Sequence, residues 1–315
     1  MGHHLVKTQI LLTTYNGEKY LPDLLESMDQ QTDPDFFLLI QDDGSTDGTM
    51  KMLRDYAGRN PRVSFGREAG QHLGPAGNFL SLIRQADADA VMLCDQDDSM
   101  HPDKVRLLKE ALAEETARWG AETPLLVHSD CFITNEAGEI TGDSFFAHQG
   151  WDPDAVTLPP LLVQNNVTGC TLIMNRALTA LIAEYGKARD LFMHDWFIAL
   201  TAAAFGRIRF VPRQLTYYRQ HGDNSIGASA KGLIARGLEA LSRRDEARRR
   251  IQLTYTHTQV FRRMYGSRLP GEAEKITSAY LATRSMGKLR RIWHVRRLGC
   301  TMQSPVTRLG QMLFG

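Results

Sequence analysis

Over the first 130 residues, short β-rich runs alternate with amphipathic stretches of helical length, and that alternation restricts the chain to a parallel sheet covered by helices. The pattern predicts strands at residues 8–14, 36–41, 62–65, 90–94 and 125–129. Between the first two, Tyr20, Leu21, Leu24, Leu25 and Met28 share one helical face, which makes a βαβ unit. Residues 36–40 are apolar at every position, as in a strand covered on both faces, and are expected in the middle of the sheet.

Beyond residue 130 the alternation lapses into an α+β pattern: a loop over 151–160, a strand over 167–174, helices over 176–185 and 194–205, and two strands at 207–211 and 215–219. From about Lys231 the chain reads as helical and Arg-rich, with a break at 266–271. The expected organisation is one domain over 1–228, in two halves that meet at 130/131, followed by a helical basic extension over 229–315.

Charge supports the division. The whole chain is nearly neutral at +1, but residues 231–315 carry 18 Lys and Arg against 5 Asp and Glu, whereas residues 1–230 carry 19 against 31. A basic extension of this kind either binds an anionic membrane leaflet or packs on the acidic body or a second subunit. Four widely spaced cysteines, Cys94, Cys131, Cys170 and Cys300, make neither a disulfide framework nor a metal-ligand spacing. Cys94, Cys131 and Cys170 sit among apolar residues and read as small core side chains. No secretion signal or run of about 18 apolar residues is visible, so a cytoplasmic protein is expected, in part peripheral on the inner face of the plasma membrane.

In an open α/β sheet, ligands bind at the carboxyl ends of the strands. There the chain places Thr13-Thr14-Tyr15-Asn16-Gly17, then Asp42-Asp43-Gly44-Ser45, then Asp95-Gln96-Asp97-Asp98. A turn and a helix cap account for Asp42 and Asp43 when they are taken alone, but three acids in four places after strand 90–94 point to function. Carboxylates gathered on one edge repel unless a cation or shared protons compensate. Hard oxygen ligands favour Mg²⁺ or Mn²⁺, and Mg²⁺ is commonly shared with substrate phosphates, which points to a nucleoside diphosphate. The glycine-containing loop 68–77 would start a helix whose first amides face a phosphate, although it contains no GxGxxG or GxxxxGK[ST] pattern. Asp195 either caps the helix it begins or acts as a general base raised in pKa beside Trp196.

As a set, "LLTTYNGEKYL", "QTDPDFFLLIQDDGSTDGT", "DQDDSMHPDK", "NNVTGCTLIMNR", "HDWFIAL" and "YRQHGDN" resemble the family-two glycosyltransferases of GT-A fold, and their wording is similar to the bacterial rhamnosyltransferase-like branch. The resemblance implies a Rossmann-like nucleotide-sugar-binding mixed sheet flanked by helices. It also implies an inverting, metal-dependent transferase that moves a sugar, here L-rhamnose from dTDP-rhamnose, to a hydroxyl of a lipid-linked or oligosaccharide acceptor in O-antigen or capsule assembly. By the same resemblance Thr13, Tyr15 and Asp43 hold the nucleoside, Asn78 faces the donor, and Asp95, Asp97 and Asp98 form the DXD region, with Asp97 and Asp98 closest to the ribose and metal and Asp95 supporting the turn or binding the nucleotide sugar directly. Gly169 and Cys170 lie near the transferred sugar, Asp195 is the catalytic base, and His221 completes a Mg²⁺ or Mn²⁺ site with Asp97 and Asp98. His194 stands where many members carry Glu, and Ser99 and Met100 stand where relatives carry an apolar residue and Trp.

Two other readings compete. One is a haloacid-dehalogenase-like phosphatase using Asp95 and Asp97; the other is a nucleic-acid-binding protein acting through the basic extension, which lacks the aromatic pattern that usually accompanies such arginines.

Overall fold

The computed structural model describes residues 6–68, 70–184, 193–221 and 244–314. The elements in chain order are β1 (Thr8–Thr14), α1 (Leu21–Asp29), β2 (Phe37–Asp42), α2 (Thr49–Arg59), β3 (Val63–Phe65), α3 (Gly74–Gln85), β4 (Ala90–Asp95) and β5 (Ser99–Met100). They continue with α4 (Lys104–Trp119), β6 (Leu125–Thr134), β7 (Ile140–Gly142), α5 (Phe145–Gln149), α6 (Leu158–Leu161), β8 (Leu172–Asn175), α7 (Arg176–Ala183), α8 (His194–Phe205) and β9 (Arg207–Arg219). Among the described residues four further helices follow: α9 (Arg244–Tyr265), α10 (Gly271–Ala282), α11 (Lys288–Leu298) and α12 (Pro305–Phe314).

One sheet runs β3-β2-β1-β4-β8-β6-β9-β5, with β7 added on β6. Strands β1 to β4 pair in parallel, whereas β8 runs antiparallel to both β4 and β6. Strand side chains alternate between faces, so β1 sends Ile10 and Leu12 to a core shared with α1, α2 and α4, and Leu11 to a second core built with α3, α7 and α8. An apolar strand buried on both sides is thereby explained.

Several expectations are corrected. Strand β2 lies one place in from the β3 edge and not in mid-sheet. Residues 207–219 form a single strand and not two, because β9 follows β6 in parallel through register shifts around Ser129 to Cys131 that absorb Pro212. Residues 169–171 are a 3₁₀ turn that precedes β8. The expected boundary at 228/229, the end of the 176–185 helix at Tyr185, and Gly222, Asp223, Asn224, Lys231 and Arg243 lie outside the described residues.

The extension is built into the fold. Ile251, Tyr255, Phe261 and Tyr265 of α9 and Tyr280 of α10 belong to the same buried cluster as α3, α7 and α8. Thr201 of α8 shares a hydrogen bond of 2.8 Å with Tyr265, which satisfies both hydroxyls in the dry interior.

Candidate active site

The carboxyl ends of β1, β2 and β4 lie side by side, with Thr13 opposite both Gln41 and Asp95. The Tyr15 amide donates to Gln96 Oε1 and the Gln96 amide returns a bond to the Tyr15 carbonyl, both at 2.8 Å, so the first strand end is clamped to the DXD loop. Half-exposed Tyr15 meets His72 edge to face, 5.8 Å between ring centroids.

The two aspartates after β2 have different surroundings. Asp42 accepts from Thr14 Oγ1 at 2.8 Å, from the Gly44 and Ser45 amides at 3.0 and 2.8 Å and from Ser45 Oγ at 2.5 Å, so its carboxylate is consumed by the turn. Asp43 is buried and accepts the Leu73 and Gly74 amides at 2.5 and 3.0 Å. The loop 68–77 does lead into a helix, but its first amides face the Asp43 carboxylate, which corrects the expected phosphate site. Asn78 is buried within α3, and its Oδ1 accepts from Gln41 Nε2 at 2.8 Å.

Asp95, Asp97, Asp98 and Asp195 come together. Burial and the neighbouring Asp98, Asp97 and Asp195 charges hold the Asp95 carboxyl well above its ordinary range. Burial, followed by the Asp97 charge, pushes Asp98 up to about 7. Asp98 Oδ1 accepts the Arg219 amide at 3.0 Å, whereas its Oδ2 is buried without a hydrogen-bond partner. Asp97 Oδ2 lies 2.8 Å from His221 Nε2, and the His221 ring stacks on Tyr20 with centroids 4.9 Å apart. Among the described residues, the ligand atoms that lie within 4.8 Å of one another belong to Asp95, Asp98 and Cys170, whereas His221 Nε2 is engaged by Asp97. The two carboxylates, with the orphaned Asp98 oxygen, are the hard donors that fit Mg²⁺ or Mn²⁺, and the Cys170 thiol is not.

Asp195 opens α8 and is buried; burial pushes it up to about 7, against bonds from the Trp196 and Gly169 amides. Gly169 stands directly before it: a Cβ there would lie 3.0 Å from His194 Nε2 and 3.6 Å from Asp195 Cβ. His194 itself is buried, stacked on Phe79 at 4.3 Å and pushed down to about 3 by burial, so at neutral pH it is an uncharged wall of the site. Cys170 is buried, and its thiol is held up first by a bond with Cys131 and then by burial.

Two residues of the quoted motifs were passed over in the sequence. Arg219 donates Nε to the Asp97 carbonyl at 2.9 Å, Nη1 to the Glu136 carbonyl at 2.8 Å and Nη2 to Asp23 at 2.7 Å, and so holds the DXD loop against β9. Lys104, at the end of "DQDDSMHPDK", is almost completely buried and donates to the Cys170 carbonyl at 2.6 Å. Neither stands out in sequence, since a lone cation beside a turn is ordinarily solvated.

A mixed sheet flanked by helices, with acidic side chains gathered where the parallel strands end, defines the GT-A fold. The likeness extends to solved structures. A mannosyltransferase, PcManGT of Pyrobaculum calidifontis in complex with GDP-Man and Mn²⁺, matches over 94% of this chain and 74% of its own, with a TM-score of 0.56 and 16% identity. Staphylococcus aureus TarS 1-349 matches over 97% of this chain and 86% of its own, with a TM-score of 0.52 and 17% identity. Residues 9–119 match the model of glycosyl transferase family 2. The dTDP-rhamnosyl transferase RfbG of Shigella flexneri is 26% identical over 231 residues, 69% of this chain and 74% of that protein. No helix among the described residues is long and apolar enough to cross a membrane.

Proposed function

We propose that the protein is an inverting transferase that moves L-rhamnose from dTDP-rhamnose to a hydroxyl of a lipid-linked or oligosaccharide acceptor in O-antigen or capsule assembly. The observation that carries the chemistry is the buried Asp195 carboxylate, raised to about 7 and set beside the Asp95, Asp97 and Asp98 cluster. The choice of sugar rests on the similarity to RfbG.

In this reading Asp195 takes the proton of the acceptor hydroxyl as its oxygen bonds to the anomeric carbon, and the bond from that carbon to the diphosphate breaks on the opposite face. No covalent enzyme intermediate forms. Thr13, Tyr15 and Asp43 hold the nucleoside, Asp97 and Asp98 lie nearest the ribose, Asp95 supports the turn or binds the donor directly, Asn78 faces the donor, and Gly169 and Cys170 lie near the transferred sugar. Asp97, Asp98 and His221 would hold Mg²⁺ or Mn²⁺, which supplies Lewis-acid stabilisation to the leaving diphosphate when bound. Thermal stabilisation by a panel of nucleotide sugars, with and without Mn²⁺, tests the donor: dTDP-rhamnose with Mn²⁺ should raise Tm most. Equal shifts for every nucleotide sugar would remove the specific donor.

The acceptor reading extends to the surface. Residues 286–315 carry six Lys and Arg and no acid, and Leu289 and Trp293 on α11 and Leu309 and Leu313 on α12 are exposed. Such an apolar and cationic face suits the anionic inner leaflet, where a lipid-linked acceptor would reside. Co-sedimentation with phosphatidylglycerol vesicles but not with phosphatidylcholine vesicles, lost in Leu289→Ser with Trp293→Ser, is the expected result. Equal recovery with both lipids would contradict it.

A further inference from the structure

A lysine is almost never fully buried unless something compensates its charge, and a cation in the first turn of a helix is opposed by the helix dipole. Lys104 violates both tendencies: it is the first residue of α4 and 1% exposed. The surroundings explain why it stays. Its Nζ donates to the Cys170 carbonyl at 2.6 Å, and its charge acts through space on Asp95 and Asp98, opposing the rise in both. The same carbonyl accepts Thr216 Oγ1 at 3.3 Å, so α4 and β9 together pin the Gly169–Thr171 turn that faces Asp195.

We propose that Lys104 is a positioning residue that acts as the resident counter-charge of the acidic pocket: it competes with the divalent cation for the Asp95 and Asp98 charge and anchors the turn in front of Asp195. Two consequences separate these jobs. Removing the charge leaves the carboxylates with less compensation, so the pocket binds a divalent cation more tightly. Removing the hydrogen bond frees the turn and slows transfer. Lys104→Met keeps the aliphatic stem and deletes both charge and donor, whereas Lys104→Gln deletes the charge and keeps a donor.

This inference rests on the acidic pocket being a divalent-cation site, and calorimetric titration of Mn²⁺ into the full chain tests the two ideas separately. Wild-type protein that takes up no Mn²⁺ would overturn the cation site itself. Given wild-type binding, both variants should tighten the Mn²⁺ Kd by about 10-fold or more, as loss of a nearby unit charge in a low-dielectric pocket requires. Mn²⁺ should raise their Tm by more than it raises that of wild type. In turnover assays kcat should fall further in Lys104→Met than in Lys104→Gln, with the donor KM changing less than kcat. A variant that folds only when Mn²⁺ is present would support the counter-charge role equally. A Kd within about 2-fold of wild type in both variants, or failure to fold at any Mn²⁺ concentration, would overturn it.

Discussion

The indole of Trp196, next in the chain after Asp195, meets the imidazole of His257 edge to face with ring centroids 4.7 Å apart. A helix of the basic extension is therefore a wall of the helix that carries the proposed base. Phe261, on the same α9, is completely buried against Phe197. Phe261→Ala should cost about 3–5 kcal/mol in denaturant unfolding, and a chain ending at residue 243 should not fold as a monomer. Wild-type stability in either variant would show the extension to be an appendage.

The fold was legible where one property dominates. Strands β1, β2 and β4 follow from unbroken apolar runs, and the acidic residues after β4 announce themselves by density. Legibility failed where polar residues sit inside elements. Asp130 interrupts β6, yet its carboxylate is satisfied by the Cys131 and Phe146 amides at 2.8 and 3.1 Å and by Ser144 Oγ at 2.5 Å, so the strand runs on to Thr134. The grip of Asp43 on the start of α3 and the reach of Lys104 to Cys170 join residues 30 and 66 positions apart, and no local pattern encodes either.

Asp43 stabilises α3 by accepting two amides that the helix itself leaves unpaired. Asp43→Ala should cost about 1–2 kcal/mol, read from urea unfolding, and should weaken nucleotide binding measured by calorimetry. Unchanged stability would mean that water replaces the carboxylate at no cost.

A methyl group at Gly169 would press on His194 Nε2 at 3.0 Å, so that the ring beside Asp195 must shift slightly, while Asp195 Cβ at 3.6 Å stays in ordinary contact. Gly169→Ala should keep the fold, as judged by circular dichroism, and lower kcat by about 10- to 100-fold, because a small displacement of reacting groups is expensive. An unchanged kcat would place the acceptor elsewhere.

The pKa of Asp195 lies above its unfolded value, near 7 against 3.8. Between these values the folded state binds more protons than the unfolded one, so this group's contribution to stability falls as pH rises from about 4 to 7. Asp195→Asn should therefore raise Tm relative to wild type at pH 8, with the gap closing toward pH 4. A gap that widens on acidification would contradict a buried, raised carboxyl.

The account stands most directly on one comparison: calorimetric binding of the donor nucleotide and the rate of sugar transfer, measured together on wild type and Asp195→Asn. The expected result is an unchanged nucleotide Kd with transfer slowed by at least about 100-fold, the usual scale of general-base catalysis. Transfer at the wild-type rate by Asp195→Asn would contradict it.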